Sequence, residues 1–331
     1  MSANDRLDRR RWLRQAAALT LGALPLGGAM ASTEPFPSRA VTLWVPWPAG
    51  GATDVSLRLL AELASVTLGQ PVLTENRGGA GGTLAMPVLQ QARPDGYTIA
   101  QMPQPVFRAP HTQKVLWDPI RDVTPIIQVS SVTFGVLVAA GSRLRSLDDL
   151  FAFARAHPGE LTIATNGIGT TPHMVLEDLF TGRGLRYVHV PYKGTAEQLN
   201  AIASGQVMAG VNSTGFGPAV DAGTLRLLAS FAGERSKRWP QVPVLRELGF
   251  DIVAKSPYGL AGPRGLPKAV VTVLHDAFKK AMFDPRFGAE LAKYDQEVDY
   301  LGPDVYAQAC REMFAQERAM VDKLGLGRTG S

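Results

Sequence analysis

The chain has 331 residues, 45% of them hydrophobic and 19% charged, and its 34 Lys and Arg against 29 Asp and Glu give a formal net charge of +5. That length exceeds what one compact core usually fills, so two lobes are expected, and the composition excludes a disordered chain. A charge this small and this dispersed excludes a nucleic-acid binder.

Much of the charge belongs to the first 31 residues, which hold five Arg and two Asp. Asp8-Arg9-Arg10-Arg11-Trp12-Leu13-Arg14 precedes the Ala/Leu/Gly stretch from Ala16 to Ala29, and Ala29-Met30-Ala31 supplies a small-x-small cleavage site. Broken by Pro25 and three glycines, the stretch is too short to cross ~30 Å of hydrocarbon, yet the three regions of a signal peptide stand in order. The adjacent arginines resemble a twin-arginine export signal, with Asp8 where Ser or Thr is usual. Residues 1–31 are therefore expected to be cleaved, leaving a mature protein that starts at Ser32 in the periplasm. No later run approaches ~20 apolar residues, so the mature chain is not expected to be membrane-embedded. Cys310 is the only cysteine. It excludes an internal disulfide and a multi-Cys metal site, and it is predicted to be buried on a late helix.

From residue 41 on, short β-rich runs alternate with amphipathic helical runs, the pattern of parallel α/β architecture. Val41 to Val45 is a strand. Asp54 to Leu68 is a helix stopped by Gly69, with Thr53 or Asp54 as N-cap. A second unit runs from the strand Pro71 to Thr74 through the loop Arg77 to Gly82 into a helix from about Thr83 to Ala92, with Pro87 implying a kink or late start. Tyr97 to Met102 is the next strand. Ile126 to Ala139 is long enough to leave one lobe and enter another. Ser146 to Ala156 is a helix with Ser146 and Asp149 close to a capping box. Then come the strand Leu161 to Thr165, the helix Pro172 to Phe180, the strand Leu185 to Val190, the helix Ala196 to Ser204 and the strand Val207 to Val211. Leu225 to Phe231 is read as the return crossing, and from Pro267 the chain is mostly helical. Residues 32–137 with 232–331 would form one lobe and 138–231 the other, joined by a two-strand hinge, with ligand between them at the carboxyl ends of strands.

Three strand-to-helix loops share one construction: Pro46 to Asp54, Thr165 to His173, and Val190 to Thr195. In the second, Thr171 is the expected cap with Pro172 at N1; in the third, Thr195 and Gln198 would make a capping box. Each would leave backbone N–H groups free beside the positive end of a helix dipole, with glycines letting an anion approach. A small carboxylate fits such a clamp better than a nucleotide, because the chain has no P-loop pattern and Gly78-Gly79-Ala80-Gly81-Gly82 lacks the spacing of a dinucleotide loop. Asp54 reads either as a cap or as a carboxylate at the cleft edge. His173 reads either as a donor to the anion or as a half-buried residue satisfied by backbone. Lys193 is a solvated charge or a ligand contact, and Trp47 and Tyr192 wall the cleft or pack. His111 and His157 have no partner at metal-ligand spacing. There is no G-x-S-x-G elbow, no H-E-x-x-H and no cysteine with a base, which favours binding over turnover; no cofactor is expected. A periplasmic enzyme in the same cleft and a sensor for a membrane receptor stand as the rival readings.

Val45-Pro46-Trp47-Pro48-Ala49-Gly50-Gly51-Ala52-Thr53-Asp54, Glu75-Asn76-Arg77-Gly78-Gly79-Ala80-Gly81-Gly82, Pro94-Asp95-Gly96-Tyr97-Thr98, Val190-Pro191-Tyr192-Lys193-Gly194 and Gly205-Gln206-Val207 together resemble the Bug family, the substrate-binding components of tripartite tricarboxylate transporters. The resemblance implies a type II periplasmic binding-protein fold of two α/β lobes, small carboxylates as ligands, and membrane transporter subunits as partners of a monomer. It also implies that Gly50, Gly51, Thr53 and Asp54 line one wall, that Thr165, Gly167, Gly169, Thr170, Thr171 and His173 line the other, and that Tyr192, Lys193 and Gly194 join them. Asn212 stands where relatives often carry Asp, and Pro257 where a Trp is frequent; loss of the negative charge argues for a plain carboxylate or aromatic acid over an amino acid.

Overall fold

The computed structural model describes residues 35–327; the predicted signal peptide and its cleavage site lie outside them. The expected strand-loop-helix units open the chain. The strand β1 (Val41–Val45) buries alternate residues and leads into α1 (Ala52–Leu68), which is stopped by Gly69 in a left-handed conformation. The strand β2 (Val72–Asn76) follows, and then a short 3-10 turn at Ala80–Gly82. The helix α2 (Ala85–Gln91) starts late, so that Pro87 falls in its first turn, where no i to i−4 bond is lost. The strand β3 (Thr98–Met102) then runs into α3 (Pro105–Thr112), and β4 (Val123–Ala139) is 17 residues long. The helix α4 (Leu147–Ala156) is closed at its start by a complete capping box of Ser146 and Asp149.

The middle of the chain carries β5 (Thr162–Thr165), α5 (Thr171–Leu179), β6 (Val188–Pro191), α6 (Thr195–Ala203), β7 (Ala209–Ser213), α7 (Gly217–Asp221) and β8 (Leu225–Ser230). After β9 (Lys255–Pro263) come α8 (Lys268–Met282), α9 (Pro285–Ala292), β10 (Val298–Leu301) and α10 (Pro303–Lys323). Cys310 lies buried on α10, as expected, and burial pushes its thiol up to about 12.

All ten strands join one sheet in the order β2-β1-β3-β9-β4-β7-β5-β6, with β8 and β10 also paired to β4. The expected parallel α/β pattern is present at both ends of the sheet, and the strands between them are antiparallel. Pairing is parallel within β2-β1-β3 and within β6-β5-β7, while β9, β4, β8 and β10 run antiparallel to their neighbours. The long strand β4 serves both ends. Its residues up to Thr133 pair with β9, and those from Phe134 on pair with β7 and β8. The strand β8 pairs with the far end of β4, and β9 runs along the near end.

Three elements had no clear local signature. The helix α3 starts on one proline and contains Pro110, and β10 is four residues between two helices. The strand β9 carries Pro257, Gly259, Gly262 and Pro263, which read as loop, yet it is held from both sides by β3 and β4. The core spreads over both faces of the sheet, with Leu57, Leu60 and Ala64 of α1 fully buried beside Leu274 and Phe278 of α8.

Candidate functional site

The loop after β1, the loop after β5 and the loop after β6 open onto a single cleft of about 220 Å³. The first contributes Trp47, Gly51, Ala52, Thr53 and Asp54, the second Asn166, Thr170, Thr171 and Pro172, and the third Gly194, Thr195, Ala196 and Glu197. The strands β1 and β3 run in the direction of β4 and lie toward its first half, while β5, β6 and β7 run against it and lie toward its second half, so both groups point their carboxyl ends, and the helix starts that follow, at the middle of β4.

The caps at these helices differ from the expected ones, and the difference matters chemically. At α1 the N-cap is Gly51 in place of Thr53 or Asp54; at α5 it is Thr170 in place of Thr171; at α6 it is Gly194, and no Thr195–Gln198 capping box forms. The side chains that would have capped are engaged elsewhere. Asp54 accepts from the Gly50 N–H at 2.8 Å, from Arg58 and from Asn76 Nδ2 at 2.7 Å. The Thr170 hydroxyl donates to the Gly167 carbonyl at 2.7 Å. The Thr195 hydroxyl donates to Asn212 Oδ1, and Gln198 Nε2 to the carbonyls of Ala164 and Val211. Among the described residues, the chain supplies no acceptor to the N–H groups of Gly51, Ala52, Thr53 and Asp54, of Thr171, or of Thr195, Ala196 and Glu197. Three helix starts thus turn unpaired amides toward one space, where an anion would complete them.

The walls between these amides are largely apolar: Trp47, Pro48, Pro103, Pro105, Val132 and Phe134. Among the described residues, no Lys or Arg lines the cleft. Its two carboxylates are Asp54, 2% exposed and occupied by its own loop, and Glu197, which is exposed at the start of α6. Gln101 of β3, Ser213 of β7, and Ser256 and Tyr258 of β9 complete the lining. The side-chain carbonyls of Gln101 and Asn166 are buried with no hydrogen-bond partner among the described residues. Burial pushes the Tyr258 hydroxyl up to about 12, so it stays protonated at any physiological pH.

Several expected contacts lie elsewhere. Gly50 is turned to Asp54, with φ at 84°. Thr165, Gly167 and Gly169 form the floor beneath the second loop: the Gly167 N–H donates to the Thr165 hydroxyl, and the Gly169 N–H to His173 Nδ1. His173 Nδ1 is therefore an acceptor to its own loop. Its ring stacks on His189 at 4.3 Å, and its Nε2 lies 3.7 Å from Glu177. Burial, and secondarily Arg108, lowers the His173 pKa against the pull of Glu177. Tyr192 packs against the apolar cluster around Leu137 and Ile202, and Lys193 is exposed; neither lines the cleft. Asn212 is fully buried one bond behind the lining, accepting from Thr195 and Ser213 and donating to Gln198. Among the lining residues that sequence reasoning missed, Gln101, Val132, Phe134, Ser213, Ser256 and Tyr258 come from strands, where no local motif marks them.

Residues 56–326 match the family model for the tripartite tricarboxylate transporter family receptor. The chain is 43% identical over 312 residues to the UPF0065 protein in the gbd 5′ region of Cupriavidus necator, covering 94% of each chain. Among solved structures it is similar to the periplasmic binding protein BugD, at 28% identity and a TM-score of 0.84 over 88% of this chain and 99% of that one. It is similar too to MatC of Rhodopseudomonas palustris, solved with bound malate, at 29% identity and a TM-score of 0.80 over 86% of this chain and all of that one. By sequence and by fold, this chain belongs to the Bug family of periplasmic solute-binding proteins, the tripartite tricarboxylate transporter receptors.

Proposed function

We propose that this protein captures a small organic carboxylate in the cleft, as a monomer in the periplasm, and presents it to the membrane subunits of a tripartite tricarboxylate-type transporter. The observation that carries the reading is the meeting of three helix starts whose first-turn amides have no acceptor among the described residues. They offer a ligand several N–H donors and partial positive charge without a single lysine or arginine. The apolar walls suit the carbon skeleton of the acid. Asn212, neutral and one bond behind Thr195, leaves no buried free carboxylate to receive an ammonium group, which favours a plain acid over an amino acid. A malate-bound relative supports the ligand class.

In this reading the molecule has two lobes, residues 32–137 with 232–331 and residues 138–231. The strand β4 and the return from β8 to β9 form the hinge, and residues 1–31 direct export by the twin-arginine route.

Mass spectrometry of small molecules released from natively purified, gently denatured protein should yield an unaltered carboxylic acid. Titration of that acid into wild type and Gly51→Val then tests the site. A side chain at Gly51 enters open space, its nearest neighbour being the Pro48 carbonyl at 3.9 Å, so the fold should keep its thermal midpoint. Affinity should fall at least tenfold. Unchanged affinity, or no binding to any member of a panel of C3–C8 mono- and dicarboxylates, would overturn the proposal.

A further inference from the structure

Arg108 is the largest of the fully buried side chains, and nothing in the ligand reading so far uses it. It sits on α3 and forms a buried ion pair with Glu317 of α10, the two side chains 1% and 2% exposed. The pair is bidentate, with Nε on one carboxylate oxygen and Nη2 on the other at 3.0 Å. The guanidinium does not end there. Nη1 donates to the Gly169 carbonyl at 2.7 Å, and Nη2 also approaches the Thr171 hydroxyl at 3.4 Å. Gln104 closes the ring: its Nε2 donates to Glu317, and its Oε1 accepts from the Thr171 hydroxyl at 3.1 Å.

This network joins two helices on one side of the cleft to the loop that carries the second set of amides on the other. A planar fork of five donors can hold a carboxylate on one edge and two loop acceptors on the other; an ammonium cannot. The held atoms are informative. The Gly169 carbonyl and the Thr171 hydroxyl flank Thr170, the cap of α5, so fixing both sets the direction of the first-turn amide of Thr171. The loop itself is glycine-rich, with φ at 130° for Gly167 and 72° for Gly169, and its own hydrogen bonds run only within residues 165–173, so none of them ties it across the cleft.

We propose that Arg108, oriented by Glu317, is a positioning residue for the ligand: it clamps the loop after β5 across the cleft and so sets how long a bound carboxylate is held. The inference rests on the binding reading above. Since the clamp touches the loop and not the ligand, losing it should accelerate release more than it slows capture.

Removing one charge strands the other in the interior and threatens folding, whereas replacing both by apolar groups does not. The variants are therefore Arg108→Lys and the double variant Arg108→Met/Glu317→Leu, compared with Thr171→Val and its conservative counterpart Thr171→Ser. Amide hydrogen exchange on the ligand-free full chain gives the first readout. Exchange over residues 166–176 should rise at least fivefold in Arg108→Lys, the double variant and Thr171→Val. It should return to the wild-type rate in Thr171→Ser, and the core of α1 should stay unchanged throughout. Unaltered exchange over 166–176 with the clamp removed, or a rise spread evenly over the molecule, would overturn the proposal.

Stopped-flow tryptophan fluorescence, with the acid that gives the largest thermal shift in the C3–C8 panel, gives the second. The dissociation rate should increase about tenfold or more and the association rate change less than threefold; equal changes in both would also overturn it. If wild type binds none of the panel, the ligand reading fails while the exchange experiment still decides the clamp.

Discussion

At the scale of single residues, the loops onto the cleft were legible because each packs glycine, threonine and proline between a strand and a helix, a combination with few structural uses. Which atom does what was not legible, because one hydroxyl or carboxylate has several partners within reach and only the packed loop selects among them. Asp54 and Thr195 show this, spending their side chains inside the protein and leaving backbone amides for the ligand. His189 shows it too: the sequence leaves it unremarked in a strand, yet its Nε2 lies 2.6 Å from the Thr165 hydroxyl and its ring against His173. Burial above all, then His173, pushes its pKa down from 6.5 to about 4, with Glu177 opposing. The folded protein therefore binds fewer protons at this site than the unfolded chain between those values, so acid favours unfolding. The contribution of His189 is complete above pH 6.5 and is lost as pH falls toward 4. Urea denaturation at pH 7.5 and pH 4.5 checks this. The loss of stability on acidification should be smaller in His189→Gln, whose amide can still meet Thr165 but does not titrate; an equal loss in both proteins would remove His189 as the cause.

At the scale of elements, periodicity located the strand-helix units whose apolar faces are simple and failed where an element takes its identity from its neighbours. The helix α4 announces itself through Ser146 and Asp149. The strand β9 does not, because a Pro- and Gly-rich segment has weak strand preference and is extended here only since β3 and β4 hold it from both sides. Gly259 is required by that crowding. A Cβ on Gly259 would stand 2.3 Å from the Ile127 carbonyl and 2.5 Å from the ring of Tyr306, itself a fully buried residue of α10. Neither a doubly paired strand nor a buried ring can withdraw. Gly259→Ala is expected to cost about 1–3 kcal/mol as an overpacking change. A chemical-denaturation midpoint equal to wild type would show that the sheet gives way more easily than this packing implies. The contrast with Gly51, where a side chain meets open space, separates a glycine kept for the sheet from one kept for the ligand.

At the scale of the whole molecule, β4 would let one continuous sheet serve the two-lobed closure proposed above. It is shared by both ends, so flexing near residue 134 would let each end keep its own pairing, and the cleft lies beside that point at Val132 and Phe134. In the present arrangement the loops across the cleft touch. A Cβ on Gly194 would come within 2.9 Å of Pro48 Cγ, and one on Gly81 within 3.0 Å of the Ile168 carbonyl. Gly194 has φ of −159°, an extended conformation open to any residue, so a side chain there is unstrained in itself and clashes only while Pro48 is near. Gly194→Val should therefore wedge the cleft and leave each half intact. In wild type, ligand at 100 times its dissociation constant should add about 2.7 kcal/mol of stability and contract the particle in small-angle scattering. The variant should match wild type in thermal midpoint without ligand, bind the same acid at least tenfold more weakly, and contract less at saturation. Full contraction with undiminished affinity would mean that closing the cleft does not bring Pro48 and Gly194 together, and that the touching loops are incidental to capture.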